Sequence, residues 1–237
     1  PIGTKVKNKK IMKVVILAGG LGTRLSEYTK TIPKPMVKIN KIPIIERIMQ
    51  HYSDYGYCDF IIALGYKKNV IRNYFKKPKY KKWNINLIDT GKFTMTGGRI
   101  KRLEKYFKKN EDFMVTYGDG ISNVNINKLV KFHKLHKKLV TLTAVRPPAR
   151  FGALKIKGDK VVYFKEKSSL DEGWINGGFF VIKKEFLKYI KNDQTFLERK
   201  PLEIIAKLNQ LKAFKHRGFW QCMDTKRDKD RLEKIIH

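Results

Sequence analysis

The stretch VVILAGGLGTRL, Val14 to Leu25, decides the fold. Its first half is a continuous apolar run, which is typical of a parallel strand buried on both faces. Its second half places three glycines within four residues and then adds an arginine. Glycines let backbone N–H groups approach a ligand closely, and arginine is a permanently charged donor to phosphate oxygens. The stretch therefore predicts a strand that ends in a phosphate-binding loop.

Two familiar nucleotide-binding loops do not fit this stretch. No Gly-Lys-Ser/Thr follows the glycines, so it is not a P-loop. Leu25 stands where the third glycine of a dinucleotide fingerprint would be, and no acidic residue ends the next strand at the expected distance. Taken alone, the glycines fit a tight turn between strand and helix as well as a phosphate site.

A lysine ten residues after Arg24 favours the phosphate site. In TIPKPMVKI (residues 31–39), Lys34 lies between Pro33 and Pro35. The two prolines restrict the backbone on both sides, so that a flexible cation becomes a pre-placed one. A solvated surface lysine would not need this framing.

Strand and helix patterns alternate downstream, which predicts an α/β fold. Strands are predicted over residues 13–18, 59–65, 83–89, 112–120 and 139–145. Helices are predicted over residues 42–56, 67–75, 97–107 and 125–138. Such units build an open, mostly parallel sheet with helices on both faces, and ligands bind beyond the carboxyl ends of its strands.

After Pro148 the residue pattern changes, and it predicts shorter segments that are rich in strands. We therefore expect a single domain over residues 12–237, with a nucleotide-binding half (12–145) and a small β-rich half (146–237) that closes the site. Residues 1–11 are basic and lack the apolar core of a secretory signal, so we expect them to be an extension ahead of Met12.

The net charge is +32, from 53 basic and 21 acidic residues. Of the basic residues, 42 are lysines, and they are spread along the chain rather than gathered on one element. Arginine is the usual reader of nucleic-acid bases, whereas lysine is a solvated point charge. This composition favours a generally basic surface that attracts anions, and it leaves an RNA-binding module as the alternative.

The sequence shows neither a membrane-spanning pattern nor a zinc-binding pattern. No apolar run approaches the roughly 18 residues of a membrane span. Cys58 and Cys222 are far apart and have no neighbouring Cys or His at zinc-ligand spacing. We expect two reduced thiols in a cytoplasmic protein, with neither a zinc site nor a membrane partner.

LAGGLGTRL followed by PKPM resembles the signature of the sugar-1-phosphate nucleotidyltransferases. Further matching segments run to about residue 232: DTGKFTMTGGRIKR (89–102), TYGDG (116–120), RPPARFGALKI (146–156), EK (166–167), INGGFFV (175–181) and FWQCMDTKRDK (219–229). MTGGR and FWQCMDT are most similar to the branch that uses CTP. The resemblance implies the Rossmann-like nucleotide-diphospho-sugar transferase fold and the conversion of CTP and glucose 1-phosphate into CDP-glucose and pyrophosphate. Use of UTP, dTTP or GTP, or of another sugar phosphate, stays open.

The resemblance also implies residue roles. The residues implied to bind the nucleotide are Leu17, Ala18, Gly19, Gly20, Leu21, Gly22, Thr23, Arg24, Lys34, Thr94, Arg99, Gly118 and Asp119. Among these, Arg24, Lys34 and Asp119 are implied to be catalytic, and Thr94 and Arg99 to contact the cytidine. The residues implied to bind the sugar phosphate are Gly152, Glu166, Lys167, Asn176 and Gly177.

A magnesium ion is the implied cofactor, held by Asp119 and Asp224. Two carboxylates from distant parts of a chain suit Mg²⁺, which takes one or two carboxylates together with substrate phosphates. The partners implied are small molecules, with no nucleic acid, and a homo-oligomer. Cytidylyltransferases of the family carry a longer insertion in place of residues 76–82 that helps to build their oligomer, so the number of subunits stays open.

Overall fold

A seven-stranded sheet forms the centre of the protein in a computed structural model that describes residues 10–147, 153–165 and 173–236. Its strands are β1 (Val14–Ala18), β4 (Asp59–Leu64), β5 (Asn84–Asp89), β6 (Asp112–Tyr117), β8 (Val140–Val145), β11 (Ile175–Lys183) and β12 (Leu211–Lys215). Their order is β12-β8-β11-β6-β1-β4-β5. Strand β11 runs antiparallel to both of its neighbours, and the other pairs are parallel. The predicted mostly parallel sheet is confirmed.

Strand β1 lies between β6 and β4 and is buried on both faces. Val14, Ile16 and Ala18 belong to one apolar cluster, and Val15 and Leu17 belong to the other. This alternation follows from the side-chain period of a strand. It explains why the run VVILA is apolar throughout rather than at every second position.

Helices cover both faces of the sheet, as predicted. They are α1 (Ser26–Thr29), α2 (Ile44–Asp54), α3 (Lys68–Phe75), α4 (Thr96–Arg102), α5 (Ile126–His136), α6 (Lys200–Lys207) and α7 (Lys226–Ile235). Residues of α2, α3, α5 and α7 pack into the first cluster. Residues of α4 and α6 pack into the second. Within the described ranges, every helix is too short or too polar to span a lipid bilayer.

The helix predicted over residues 42–56 begins two residues later. A small hairpin precedes it, formed by β2 (Lys38–Ile39) and β3 (Ile42–Pro43). Asn40 and Lys41 form its turn with positive φ angles of 47° and 70°, which is the geometry that suits a two-residue hairpin. Pro43 keeps an extended ψ of 142°, so the helix begins at Ile44.

Two further boundaries differ from the sequence prediction. The helix predicted over residues 97–107 divides into α4 and a short 3-10 helix, Glu104–Tyr106. The strand predicted over residues 112–120 ends at Tyr117, and Gly120–Ser122 forms a separate short strand, β7. Strand β7 pairs with β13 (Trp220–Cys222), which brings the last part of the chain beside the end of β6.

The later part of the chain is rich in strands, as expected, and some of them join the central sheet. Strands β11 and β12 complete its far side. Strands β9 (Ala153–Lys157) and β10 (Lys160–Lys165) pair with each other as a separate hairpin. The division into a nucleotide-binding half and a sugar-binding half stays a prediction.

Candidate active site

A cavity of about 580 Å³ lies beyond the carboxyl ends of β1 and β6. These neighbouring strands are parallel, so their carboxyl ends meet at one edge of the sheet. The residues that line the cavity are Leu17, Gly19, Gly20, Gly22, Thr23, Arg24, Lys34, Pro35, Thr94, Met95, Thr96, Arg99, Tyr117, Gly118, Asp119, Ile175, Asn176, Phe196, Trp220, Cys222 and Asp224. The position fits the rule that ligands bind where connections leave a parallel sheet in opposite directions.

The glycine loop forms one wall of this cavity. Gly22 adopts a left-handed φ of 67° and leads into a 3-10 helix, Thr23–Leu25, that carries Arg24. The backbone N–H of Leu25 donates to the carbonyl of Gly22, and the Thr29 hydroxyl donates to the same carbonyl. These two hydrogen bonds hold the loop in one conformation.

The first two glycines of the loop face different surroundings, so alanine should have different effects at each. A Cβ at Gly19 would overlap the guanidinium of Arg99, whereas a Cβ at Gly20 would meet nothing within 4 Å. We expect Gly19→Ala to lower the free energy of unfolding by about 1–3 kcal/mol through overpacking. We expect Gly20→Ala to keep wild-type stability but to weaken nucleotide binding, because its methyl group would enter the cavity.

Chemical denaturation without ligand, followed by nucleotide titration, checks this pair. Equal losses of stability in the two variants would contradict it.

Lys34 contacts both Asp119 and Asp224, which are 105 residues apart in the sequence. Its Nζ donates to Asp119 Oδ2 at 2.5 Å and to Asp224 Oδ1 at 2.7 Å. Arg24 Nη1 donates to the other oxygen of Asp224 at 2.8 Å. The two carboxylates thus lie within reach of one ammonium group, and two positive charges balance two negative charges.

The prolines on either side of Lys34 explain its placement. Pro33 is extended, and the chain then enters a 3-10 helix, Lys34–Met36, in which Pro35 is buried. The Met36 N–H donates to the Pro33 carbonyl at 2.8 Å. The Lys34 side chain is only 12% exposed, so its ammonium is held by packing as well as by the carboxylates.

The donor chemistry of this cluster suits a divalent metal. Asp119 and Asp224 are the only acidic residues among those that line the cavity in the described ranges. Those ranges contain no group of three or more His, Cys, Asp or Glu side chains placed to hold a metal ion. Two carboxylates fit Mg²⁺, whose remaining ligands are water and substrate phosphates.

Burial and charge both act on the pKa values of this cluster. Burial alone would lower the pKa of Lys34, but Asp119 and Asp224 raise it above the ordinary 10.5. Burial alone would raise the pKa of Asp224, but Lys34 and Arg24 bring it below the ordinary 3.8. Burial and the neighbouring aspartates raise the pKa of Cys222 to about 12, which keeps this thiol protonated.

These directions predict how the cluster stabilises the fold at different pH values. A carboxylate with a lowered pKa stabilises the fold above its unfolded value near 3.8 and loses that effect as the pH falls through the folded value. Lys34 stabilises the fold below 10.5 and loses its effect as the pH rises through the raised value. We expect the stability difference between wild type and Asp224→Asn to be constant from about pH 5 to 9 and to shrink below pH 4. Denaturation at a series of pH values measures it, and an equal difference at pH 3 and pH 7 would contradict it.

Arg99 lies in the wall behind the glycine loop and is 4% exposed. Its Nη1 donates to the carbonyls of Leu64 and Gly91 and to the Thr90 hydroxyl, at 2.7–3.1 Å. Its Nη2 donates to the carbonyls of Gly19 and Lys92. Burial, and then the neighbouring Arg102, lowers the pKa of Arg99 to about 10.

Arg99 therefore ties together the loops after β1, β4 and β5. The glycines of these loops make room for it, since a Cβ at Gly65 would lie 2.5 Å from its Nη1. The sequence implied a contact with the cytidine for this residue. The structure adds a contact with the backbone of the glycine loop itself.

On the opposite side of the cavity lies Asn176 of β11. Its Nδ2 donates to Tyr117 Oη at 3.2 Å, and its Oδ1 accepts from the Gly178 N–H at 2.9 Å. Trp220 Nε1 donates to the Gly177 carbonyl at 2.7 Å. These bonds fix both the side chain of Asn176 and the bend of the strand after it.

The structure brings most of the residues implied by the sequence to this cavity. Ala18, Leu21 and Gly177 are not among the lining residues: the Ala18 side chain lies in the core, Leu21 is 42% exposed, and a Cβ at Gly177 would meet the Val145 side chain. Gly152, Glu166 and Lys167 lie outside the described residues.

Sequence reasoning assigned no role to several lining residues. Tyr117, Met95 and Trp220 belong to matched motifs, so closer attention to each motif could have found them. Phe196 belongs to no such motif. It reaches the cavity because residues 192–199 pack against the start of α4, where Met95 N donates to the Asp193 carbonyl at 2.8 Å.

Known proteins resemble this chain over nearly its whole length. The nucleotidyl transferase family matches residues 13–225. Glucose-1-phosphate cytidylyltransferase of Salmonella typhimurium is 48% identical over 243 residues, covering 94% of this chain and 95% of that protein. A probable glucose-1-phosphate cytidylyltransferase of Bacillus subtilis is 38% identical and covers 90% of this chain and 92% of its own.

A solved structure agrees in fold. HddC from Yersinia pseudotuberculosis, in complex with GMP-PN, superposes with a TM-score of 0.75 at 28% identity, over 96% of this chain and all of the other. The chain therefore belongs to the nucleotidyl transferase family, and it is a nucleotidyltransferase enzyme.

Proposed function

We propose that this nucleotidyltransferase transfers the cytidylyl group of CTP to glucose 1-phosphate, giving CDP-glucose and pyrophosphate. The observation that carries the proposal is the cluster of Lys34, Asp119, Asp224 and Arg24 beside the glycine loop. The names of the relatives at 48% and 38% identity support CTP and glucose 1-phosphate as the substrates.

The reaction needs charge control more than proton transfer. A phosphate oxygen of the sugar phosphate forms a bond to the α-phosphorus of CTP. The bond between that phosphorus and the oxygen that bridges the α- and β-phosphates breaks, and this oxygen leaves with pyrophosphate. The attacking oxygen is already ionised near neutral pH, so no general base is required. The difficulty is to bring two polyanions together and to stabilise the charge that develops on pyrophosphate.

The chain's own groups meet that demand. The backbone N–H groups of the glycine loop and the guanidinium of Arg24 would hold the phosphates of the nucleotide. Lys34 would place its ammonium at the transferring phosphoryl group, where fixed positive charge stabilises the transition state. Arg24 is 73% exposed, so it can exchange its ion pair with Asp224 for the phosphates of a bound nucleotide without unpacking the core.

Asp119 and Asp224 are the residues that would hold a divalent ion, which we propose to be Mg²⁺. Members of this family generally use a divalent metal. When bound, the ion supplies positive charge that neutralises phosphate oxygens. Both carboxylates already lie together in the protein, so the site does not have to be assembled from separate parts.

The sugar phosphate would lie between this cluster and Asn176. Asn176 would hydrogen-bond a sugar hydroxyl from its fixed position near the start of β11. Roles for Gly152, Glu166, Lys167 and Gly177 in this part of the site are also part of the proposal. We further propose that the enzyme acts in the cytoplasm as a homo-oligomer.

A nucleotide panel tests the proposed reaction. The enzyme is incubated with Mg²⁺, glucose 1-phosphate and CTP, UTP, dTTP or GTP in turn, and pyrophosphate release is measured. We expect CTP to give the highest rate. A rate with another nucleotide that equals or exceeds the CTP rate would overturn the choice of base, and no release with any of them would overturn the reaction.

A further inference from the structure

Residues 192–199, here called the bridging segment, pack along the beginning of α4. Met95 N donates to the Asp193 carbonyl at 2.8 Å, and Gly98 N donates to the Thr195 carbonyl at 3.2 Å. The contact is close because Gly98 has no side chain: a Cβ there would lie 2.5 Å from Asp193 backbone atoms. The glycines of MTGGR thus make room for a second stretch of backbone.

Glu198, near the end of the bridging segment, contacts two walls of the cavity at once. Its Oε1 accepts a hydrogen bond from Tyr117 Oη at 2.6 Å. Its Oε2 accepts one from Thr96 Oγ1 at 2.7 Å. Tyr117 ends β6, and Thr96 begins α4, so one carboxylate connects two elements that line the cavity.

The bond from Tyr117 extends the connection to Asn176. Tyr117 Oη donates to Glu198 and accepts from Asn176 Nδ2 at 3.2 Å. A carboxylate oxygen can only accept, so the Tyr117 hydroxyl is the donor in its bond with Glu198 and its oxygen is left to accept from Asn176. The ring is held as well, because Gly178 has a φ of 79° and a Cβ there would lie 2.5 Å from it.

We infer that Glu198 is a positioning residue for the sugar phosphate. It fixes the direction of the Tyr117 hydroxyl, which in turn fixes the Asn176 amide that faces the cavity. Without Glu198, the Tyr117 hydroxyl has no acceptor in this set and can rotate to compete for the same amide or for the ligand. The inference rests on the proposed function, since it takes Asn176 as the group that binds the sugar.

The connection to the nucleotide side is independent of Glu198. The bridging segment holds α4 through the backbone bonds of Met95 and Gly98, and the Leu197 N–H donates to Thr96 Oγ1 at 2.9 Å. Loss of the carboxylate therefore leaves α4 in place. This separation lets an experiment distinguish a role in sugar binding from a general loss of structure.

The test compares Glu198→Ala, Tyr117→Phe and the double variant in pyrophosphate release from CTP and glucose 1-phosphate. We expect the KM for glucose 1-phosphate to rise about five- to tenfold in each single variant, the size of one misplaced hydrogen bond. We expect the KM for CTP to change by less than about twofold. The KM for glucose 1-phosphate of the double variant should not exceed that of the more strongly affected single variant, because the two residues act through one another.

Glu203→Ala is the matched control. Glu203 lies five residues later on α6, is exposed, and makes no side-chain hydrogen bond or ion pair that the structure shows among the described residues. We expect it to leave both KM values unchanged. If Glu198→Ala lowers the melting temperature, Tyr117→Phe, which keeps the ring, still gives the comparison.

The outcomes separate this inference from the proposed function. Unchanged KM values for glucose 1-phosphate in both single variants, with an active wild-type enzyme, would overturn the role of Glu198 alone. Strictly additive effects in the double variant would overturn the connection through Tyr117. Absence of turnover by the wild-type enzyme on glucose 1-phosphate would overturn the proposed substrate and, with it, this role.

Discussion

Replacing Asp119 with asparagine should lower turnover by more than about 100-fold, the effect typical of removing a fixed charge partner from a polyanion site. Asparagine keeps the size of the side chain and removes its negative charge. Asp119 Oδ2 accepts from Lys34 Nζ at 2.5 Å, and the same carboxylate is one of the two proposed to hold the metal ion. The substitution would thus remove one of the two proposed metal ligands and leave Asp224 as the remaining carboxylate beside Lys34.

The measurement is the initial rate of pyrophosphate release at saturating CTP and glucose 1-phosphate over a series of Mg²⁺ concentrations. We expect the variant to need more Mg²⁺ for half-maximal rate, as well as to be slower. Asp230→Asn is the control, because Asp230 is an exposed aspartate on α7 that does not line the cavity. Turnover of Asp119→Asn within a few-fold of wild type would remove Asp119 from its assigned role.

Much of the fold could be predicted because its signals are local. Strand β1 can be recognised in the sequence as five consecutive apolar residues, because both of its faces are buried. Lys34 could be singled out because the prolines beside it act on the neighbouring backbone. Asp224 needed the family resemblance, because nothing near it in the sequence indicates that it meets Asp119.

The features that the sequence did not reveal depend on contacts between distant segments. The hairpin before α2 was missed because its strands are only two residues long and its turn uses Asn40 and Lys41 instead of glycine. The bridging segment carries no motif, and its importance appears only when Glu198 is seen beside Tyr117 and Thr96. The acceptors of Arg99 are mostly backbone carbonyls, which no residue pattern can encode.

Arg99 gives the second large expected effect. We expect Arg99→Lys to lower kcat/KM for CTP by about 100-fold and to lower the free energy of unfolding by about 3 kcal/mol even without nucleotide. Lysine keeps the charge, but its single ammonium has three donors at one point, whereas the guanidinium spreads its donors over a planar fork. The ammonium of a lysine at this position cannot reach the carbonyls of Gly19 and Lys92 and, at the same time, those of Leu64 and Gly91.

The loss of stability without ligand is the decisive part of that result. A residue that only contacted cytidine would affect the KM for CTP and leave the unliganded protein as stable as wild type. A residue that holds the loops after β1, β4 and β5 must also affect unfolding. Its loss takes away the Arg99 donor from the carbonyls of Gly91 and Lys92, at about 1–3 kcal/mol for each group left unsatisfied. The carbonyls of Gly19 and Leu64 lose one of their donors and keep backbone N–H donors.

Arg102→Lys supplies the matched comparison, three residues further along the same helix. Arg102 pairs with Asp193 at the surface through Nε at 2.9 Å and Nη2 at 2.5 Å, and its side chain is 44% exposed. Exposed ion pairs contribute about 1 kcal/mol or less, so the same substitution should change stability little at that position. Denaturation curves of the two variants without ligand, together with hydrogen exchange at the amides of Gly19–Gly22, measure the difference. Faster exchange in Arg99→Lys alone is expected, because the Arg99 guanidinium and the Tyr66 N–H together hold the carbonyl of Gly19, and loss of one donor loosens the N–H groups that follow it.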